Sequence, residues 1–313
     1  MKYQVKRTLH NVNTYHLFNK STLLNIIMKT ILKTTFSLFI LCLAWLQTSA
    51  QNEFTIPLSD PAKRGKLIAH LNSGSITVKG TARKDILVKY KTEEEAEKEK
   101  DKDKNKNIHI NLDMGRNNER SKDGLKKVSG GNVDLSASEN DNVVKVSSDS
   151  WNDEMYLEIE VPVGFDIKMH TYNNGDLMLS NVNGEIDLHN YNGGISATNI
   201  KGSVVATTYN DDIKISFDEV KDGVPMAFST YNGDLDISFP PTVKGTMKFK
   251  TDQGDIYTGF DVDIKSSGPV KKEDSKSGVY KVVINEWKRA DVNGGGAEIT
   301  FKTYNGDIYL RKK

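Results

Sequence analysis

Apolar and polar residues alternate in short runs over most of this chain, and the runs are punctuated by glycine and asparagine. From Phe165 onward the alternation is regular. Ile167, Met169 and Thr171 share one face and are followed by Leu177 and Leu179. Phe228 and Thr230 share a face and are followed by Leu235, Ile237 and Phe239. Ile299, Phe301 and Thr303 share a face and are followed by Ile308 and Leu310. A period of two is the strand period, so each run predicts a strand with one buried face of branched aliphatics and phenylalanine.

Between the paired runs stands one recurring phrase. It reads Thr171-Tyr172-Asn173-Asn174-Gly175-Asp176, Asn190-Tyr191-Asn192-Gly193-Gly194, Thr208-Tyr209-Asn210-Asp211-Asp212, Thr230-Tyr231-Asn232-Gly233-Asp234 and Thr303-Tyr304-Asn305-Gly306-Asp307, with a degenerate copy at Thr251-Asp252-Gln253-Gly254-Asp255. The tyrosines at 172, 191, 209 and 231 lie 19, 18 and 22 residues apart, and further glycine turns at Gly184 and Gly202 fall between them. Two strand-and-turn units therefore make one coil of about nineteen residues, a period that marks stacked, quasi-one-dimensional architectures. The predicted fold is an all-β, single-domain β-solenoid or β-helix-like stack; a β-sandwich is the alternative. In such a stack Thr171, Asn190, Thr208 and Thr230 form an inward ladder at a corner, with coils about 4.8 Å apart. The Asn-Gly, Gly-Gly and Asn-Asp pairs supply the positive φ that a tight turn needs.

Ahead of the array, Phe54, Ile56 and Leu58 suggest a first strand. Leu67 to Gly80 reads as strand, Ser-Gly turn and strand, and Ile86–Tyr90 and Val143–Val146 read as further strands. Met155 to Gly164 leads into the array, with Pro162 closing its strand. Residues 91–107 mix both charge signs with no apolar period and read as a solvated excursion. Residues 259–278 read as an irregular loop, Val279–Asn285 as a strand, and Trp287 as an edge cover. The basic terminus ending at Lys313 reads as a device that blunts an open sheet edge.

The first fifty residues hold six basic side chains and no acidic one. Lys29 and Lys33, the apolar run Phe36–Leu46 and Thr48-Ser49-Ala50 have the layout of a signal peptide over residues 28–50, with cleavage after Ala50. The apolar run is shorter than the roughly twenty residues of a membrane span. Residues 1–27 then read as an upstream segment from a misassigned start, and 51–313 as the mature repeat domain. Cys42 follows the bulky Leu41, which argues against lipidation. The mature part has 37 basic against 42 acidic residues, net −5, and no cysteine. That excludes a basic field for nucleic acid and a disulfide framework. The expected location is periplasm, outer-membrane surface or exterior, with no integral span in the mature chain.

Candidate chemistry is sparse. Asp176, Asp212, Asp234, Asp255 and Asp307 recur after the turns. Stacked carboxylates can take calcium, but capping of turns is the preferred reading because the dense acidic repeat of calcium-binding rolls is missing. His170 and His189 share a repeat position, yet Thr207 and Ser229 follow there, so a zinc set of three or four ligands is not formed. No metal or cofactor is expected. No nucleophile elbow, phosphate loop, zinc helix or isolated carboxylate pair is present, so no enzymatic activity is expected. The expected binding surface is an outer-face stripe of Tyr172, Tyr191, Tyr209, Tyr231 and Tyr304, since exposed tyrosines suit sugar rings and protein partners. A stacked ladder that only stabilises the turns is the plainer reading of the same residues.

Three stretches carry a family likeness: Leu157–Gly164 entering the array, the Thr-x-x-Gly-Asp-Ile/Leu repeat, and the closing run Gly294–Ile308. The chain resembles the bacterial putative-adhesin domain family, close to the auto-transporter adhesin head domains. The resemblance implies an exported β-solenoid and carries over no catalytic residues. The excursion at 91–107 and the recurring tyrosine depart from the family pattern. The expected role is a structural or binding module of the cell envelope or surface, with a protein or glycan partner. A periplasmic partner in envelope-stress signalling and a carbohydrate-active β-helix enzyme are the alternatives.

Overall fold

The structure is a computed structural model that describes residues 52–93, 96, 134–266, 270–273, 280–283 and 287–313. The segments 1–27 and 28–50, Cys42 and most of the excursion 91–107 lie outside the described residues.

The fold is all-β. Its strands are β1 (Glu53–Pro57), β2 (Lys66–Thr81), β3 (Asp85–Thr92), β4 (Ser136–Asn140), β5 (Val143–Ser148), β6 (Met155–Pro162), β7 (Asp166–Asn173), β8 (Leu177–Ser180), β9 (Asn183–Asn190), β10 (Ile195–Thr207), β11 (Ile213–Val220), β12 (Met226–Ser229), β13 (Leu235–Phe239), β14 (Gly245–Lys250), β15 (Ile256–Thr258), β16 (Lys265–Ser266), β17 (Val270–Glu273), β18 (Tyr280–Val283), β19 (Lys288–Val292), β20 (Glu298–Lys302) and β21 (Ile308–Lys312). All but β17 and β18 belong to one 19-stranded sheet.

Two ladders run through that sheet. The first passes, in space, from β4 through β5, β2, β7, β9, β10, β12, β20, β14 and β19 to β16. The second passes from β1 through β3, β6, β2, β8, β10, β11, β13 and β21 to β15. Strands β2 and β10 are long enough to serve both ladders and so join them. The interior pairings are parallel, with Ile167 facing Ile186, Ile186 facing Val204 and Ala206 facing Phe228, and the β10–β11 pair shifts register on either side of Ile200. Antiparallel strands flank the parallel set, with β4, β3 and β1 at one end and β19 and β16 at the other.

The core lies between the ladders. Every inward residue named from the alternation is buried, from Ile167 and Met169 to Ile308 and Leu310. Phenylalanines stack within a ladder, with Phe217–Phe239 at 4.9 Å and Phe249–Phe301 at 5.1 Å. Others meet across the ladders, with Phe228–Phe239 and Phe239–Phe301 each at 6.4 Å.

Four expectations change. The Ser73-Gly74 turn is not a break: β2 continues through it, bending at Gly74 (φ 117°), where a Cβ would stand 1.8 Å from the Met155 carbonyl oxygen. The chain terminus is not an edge. β21 lies between β13 and β15, and Arg311 pairs with Asp236 on β13 and Lys313 with Asp218 on β11, so these charges meet acids on other strands. Within 259–278, β16 pairs with β19, and β17 pairs with β18 in a separate two-stranded sheet. Lys91 and Thr92, expected in the excursion, belong to β3, which runs to Thr92.

Candidate functional site

The corner between the two ladders is built from five columns of residues, one for each position of the repeat, and four of them frame the tyrosines. The first column is buried. Thr171, Thr208, Thr230, Thr303 and Asn190 are all nearly inaccessible. Each donates to a turn carbonyl on the neighbouring level rather than to another member of its column. Thr171 Oγ1 reaches Gly74 O at 2.9 Å, Thr208 Oγ1 reaches Gly193 O at 2.8 Å, Thr230 Oγ1 reaches Asp211 O at 2.9 Å and Thr303 Oγ1 reaches Gly233 O at 3.0 Å. Buried carbonyls at a tight corner have no strand partner of their own, and the hydroxyl supplies it.

The asparagines form a second column. The Nδ2 of Asn192, Asn210, Asn232 and Asn305 each donates to the Oδ1 of the preceding member, starting at Asn173, over 2.7–3.0 Å. The repeated Asn was expected to act through its backbone; this side-chain ladder was not foreseen. The glycines form a third column because the turns nest closely. At Gly306 (φ 148°) a Cβ would stand 2.0 Å from Gly233 O. The aspartates form the fourth. Asp212 Oδ1 accepts from Asp234 N at 2.7 Å, Asp234 Oδ1 from Asp307 N at 2.8 Å and Asp307 Oδ1 from Asp255 N at 2.8 Å.

This frame holds the tyrosines. Tyr191, Tyr209, Tyr231 and Tyr304 stack in one row at centroid separations of 5.1, 4.8 and 4.9 Å, with ring planes 10°, 4° and 3° apart. The separations match the strand spacing of about 4.8 Å, so the backbone register sets the stack. All four rings remain 38–48% exposed. Tyr209 and Tyr231 are stacked on both faces and show water their ring edges, while Tyr191 and Tyr304 at the ends are each stacked on one face.

Tyr172, the fifth residue of the expected stripe, leaves the row. Its ring lies 4.4 Å from His170 and 5.7 Å from Trp151, with an edge-on contact to His70 at 6.1 Å. His70, His170 and His189 occupy consecutive register positions, with centroids 5.1 and 6.3 Å apart. The expected pair of histidines is thus a trio, because β2 pairs with β7. His70 shows this only once the long-range pairing is known. Burial, then the neighbouring imidazoles of His70 and His189, hold the His170 pKa below its ordinary value. Burial would raise the Asp187 carboxyl, but Lys168 and His189 keep it below the usual range. His189 Nε2 lies 2.6 Å from Asp187 Oδ1.

A further tyrosine pair lies on the last levels, where Tyr257 stacks on Tyr309 at 5.0 Å. The hydroxyl of Tyr309 donates to Asp307 Oδ2 at 3.0 Å, and that bond to a carboxylate pushes its pKa up to about 12. Among the described residues no three His, Cys, Asp or Glu side chains are placed to hold a metal ion, and no helix is long and apolar enough to cross a membrane.

No family model matches the chain, and no curated protein matches it. Among solved structures, the chain is similar to a putative cell adhesion protein from Clostridium sporogenes at 13% identity and a TM-score of 0.41, over 84% of this chain and 100% of the other. A likeness of that size carries no argument about fold or role.

Proposed function

We propose that the chain is an exported, non-catalytic binding and structural module of the cell envelope or surface, built as a β-solenoid, and that the tyrosine row is its contact face. The parallel, in-register levels repeating every 18 to 22 residues support the solenoid reading. The observation that carries the functional reading is the row Tyr191, Tyr209, Tyr231 and Tyr304. A partly exposed column of four aromatics, each stacked on its neighbour, loses little side-chain entropy when a partner covers it. Tyrosine is also favoured at the centres of protein interfaces. The recurring aspartates support a non-catalytic reading, because their carboxylates accept backbone N–H groups of the next level.

The test combines location with the row itself. Intact cells making the chain are treated with protease, and attachment of the purified full chain to those cells is compared with that of Tyr209→Ala/Tyr231→Ala. Cleavage on intact cells and at least a tenfold loss of attachment in the variant are expected. Protection until the envelope is opened, or unchanged attachment, contradicts the proposal.

A further inference from the structure

The tyrosine row has a consequence for where a ring-binding ligand can sit. Inside the row each ring face is covered by the next ring, so a ligand that needs an open aromatic face finds none at Tyr209 or Tyr231. The row breaks at Tyr172. There the ring turns toward His170, and Trp151 stands beside it on the loop between β5 and β6, 59% exposed and tilted 38° to Tyr172. Trp151 is the most exposed of the large hydrophobic side chains among the described residues.

The loop carrying Trp151 is tied down on both sides. Asn72 Nδ2 donates to Asp149 O at 2.7 Å, and the Oδ1 of the same amide accepts from His70 Nε2 at 3.1 Å. Ser150 Oγ donates to Asp153 Oδ2 at 3.0 Å, and Asp153 N donates back to Ser150 Oγ at 3.2 Å. The indole is thus presented by an ordered loop, which lowers the cost of binding something against it.

The polar groups around the two rings define the ligand class. His70, His170 and His189 offer imidazole nitrogens that donate or accept, and Asp149 offers a carboxylate that only accepts. A purely apolar ligand would take water from Asp149 and from the ring nitrogens that Asn72 and Asp187 do not engage. An anion would meet the carboxylates of Asp149 and Asp153 on the Trp151 loop. A hydroxyl both donates and accepts, and a sugar ring adds an apolar face that lies flat on an indole.

We infer that Trp151 and Tyr172, with the His70–His170–His189 column beside them, form a binding site for a neutral saccharide, separate from the tyrosine row. The ring rests on the indole, and its hydroxyls bond to the imidazoles and to Asp149. The inference does not depend on the contact face proposed above.

The test titrates the full chain and its variants by calorimetry with soluble neutral hexasaccharides of β-1,4-glucose, α-1,4-glucose and β-1,4-N-acetylglucosamine, and follows the Trp151 indole emission of the parent in a Trp45→Phe/Trp287→Phe background. At least one sugar is expected to shift the emission saturably. Trp151→Ala and Tyr172→Ala should weaken binding at least tenfold, Trp151→Phe less than Trp151→Ala, and Tyr231→Ala not at all. Trp151 is an exposed loop residue, so its variants keep the fold, which circular dichroism checks. The inference is overturned if no sugar shifts the emission, if Trp151→Ala binds as the parent does, or if the loss follows Tyr231→Ala instead. Loss of cell attachment in Tyr209→Ala/Tyr231→Ala with sugar binding intact separates the two sites.

Discussion

Tyr231 and Tyr304 lie far apart in the chain, yet their rings stack at 4.9 Å with planes 3° apart. The contact exists because β20 and β21 insert between the level of β12 and β13 and the level of β14 and β15. Tyr231 is stacked on both faces and Tyr304 on one. Tyr231→Ala should therefore cost more stability than Tyr304→Ala, about 1–3 against about 0.5–1.5 kcal/mol, since each aromatic pair contributes about 0.5–1.5 kcal/mol beyond its area. Urea unfolding of both variants checks this, and equal losses would contradict the stacked row.

The glycine column predicts a sharp contrast. Gly306→Ala places a methyl 2.0 Å from Gly233 O at a φ of 148°, so the backbone must move. A loss of about 2–4 kcal/mol is expected, in the range of strained or overpacked sites. Gly164 has open space around its Cβ position and no positive φ. Gly164→Ala should stay within about 0.5 kcal/mol of the parent. Thermal melts of the two variants measure the difference directly.

The buried hydroxyl column predicts both a loss and a gain. Thr303→Val keeps the shape but leaves Gly233 O without its donor, and should cost about 1–3 kcal/mol. Asn190 stands where the other levels carry threonine, and its buried Oδ1 finds no partner among the described residues. Asn190→Thr restores a single hydroxyl aimed at Gly175 O and should stabilise the chain by about 1 kcal/mol. Denaturant midpoints decide both, and a destabilised Asn190→Thr would contradict the reading of the column.

His170 makes stability depend on pH. Burial, followed by the neighbouring His70 and His189, keeps His170 harder to protonate in the folded chain than in the unfolded one, whose reference value is 6.5. The unfolded state takes the proton first as pH falls. The contribution of His170 is therefore full above about pH 6.5 and declines below it toward the folded pKa. Lys168 adds to this effect and Asp187 opposes it. His170→Gln should flatten the decline in melting temperature between about pH 7.5 and 5.5. An unchanged slope would show that His170 does not carry it.

The strands and their inward faces were legible in the sequence because a two-residue period survives any stacking order. Ile167, Leu235 and Phe301 point inward whichever level lies next to theirs. The order of levels was not legible. The repeats at 230, 251 and 303 look alike, and nothing local says that the last lies between the other two. The basic end at Arg311 and Lys313 was misread for that reason, since it faces Asp236 and Asp218 across strands rather than an open edge. His70 was missed as the neighbour of His170 because it precedes the regular array and pairs with it across about a hundred residues. Tyr172 has the same local phrase as Tyr191, and only the nearby Trp151 and His170 rings explain why it leaves the row.

The order of the levels carries the tyrosine row, and cysteine pairing tests it most directly. The part of the chain after Cys42 has no cysteine, so an introduced pair reports alone once Cys42 is replaced by serine. Ser229 and Lys302 are register partners on β12 and β20, and Lys250 lies one level further, opposite Lys302. A disulfide needs Cα atoms about 4.4–6.8 Å apart, which adjacent strands meet and strands two levels apart do not. Under mild oxidation Ser229→Cys/Lys302→Cys should cross-link readily, and Ser229→Cys/Lys250→Cys should stay reduced. The reverse result would place the levels in chain order, separate Tyr231 from Tyr304, and contradict the continuous row on which the proposed contact face rests.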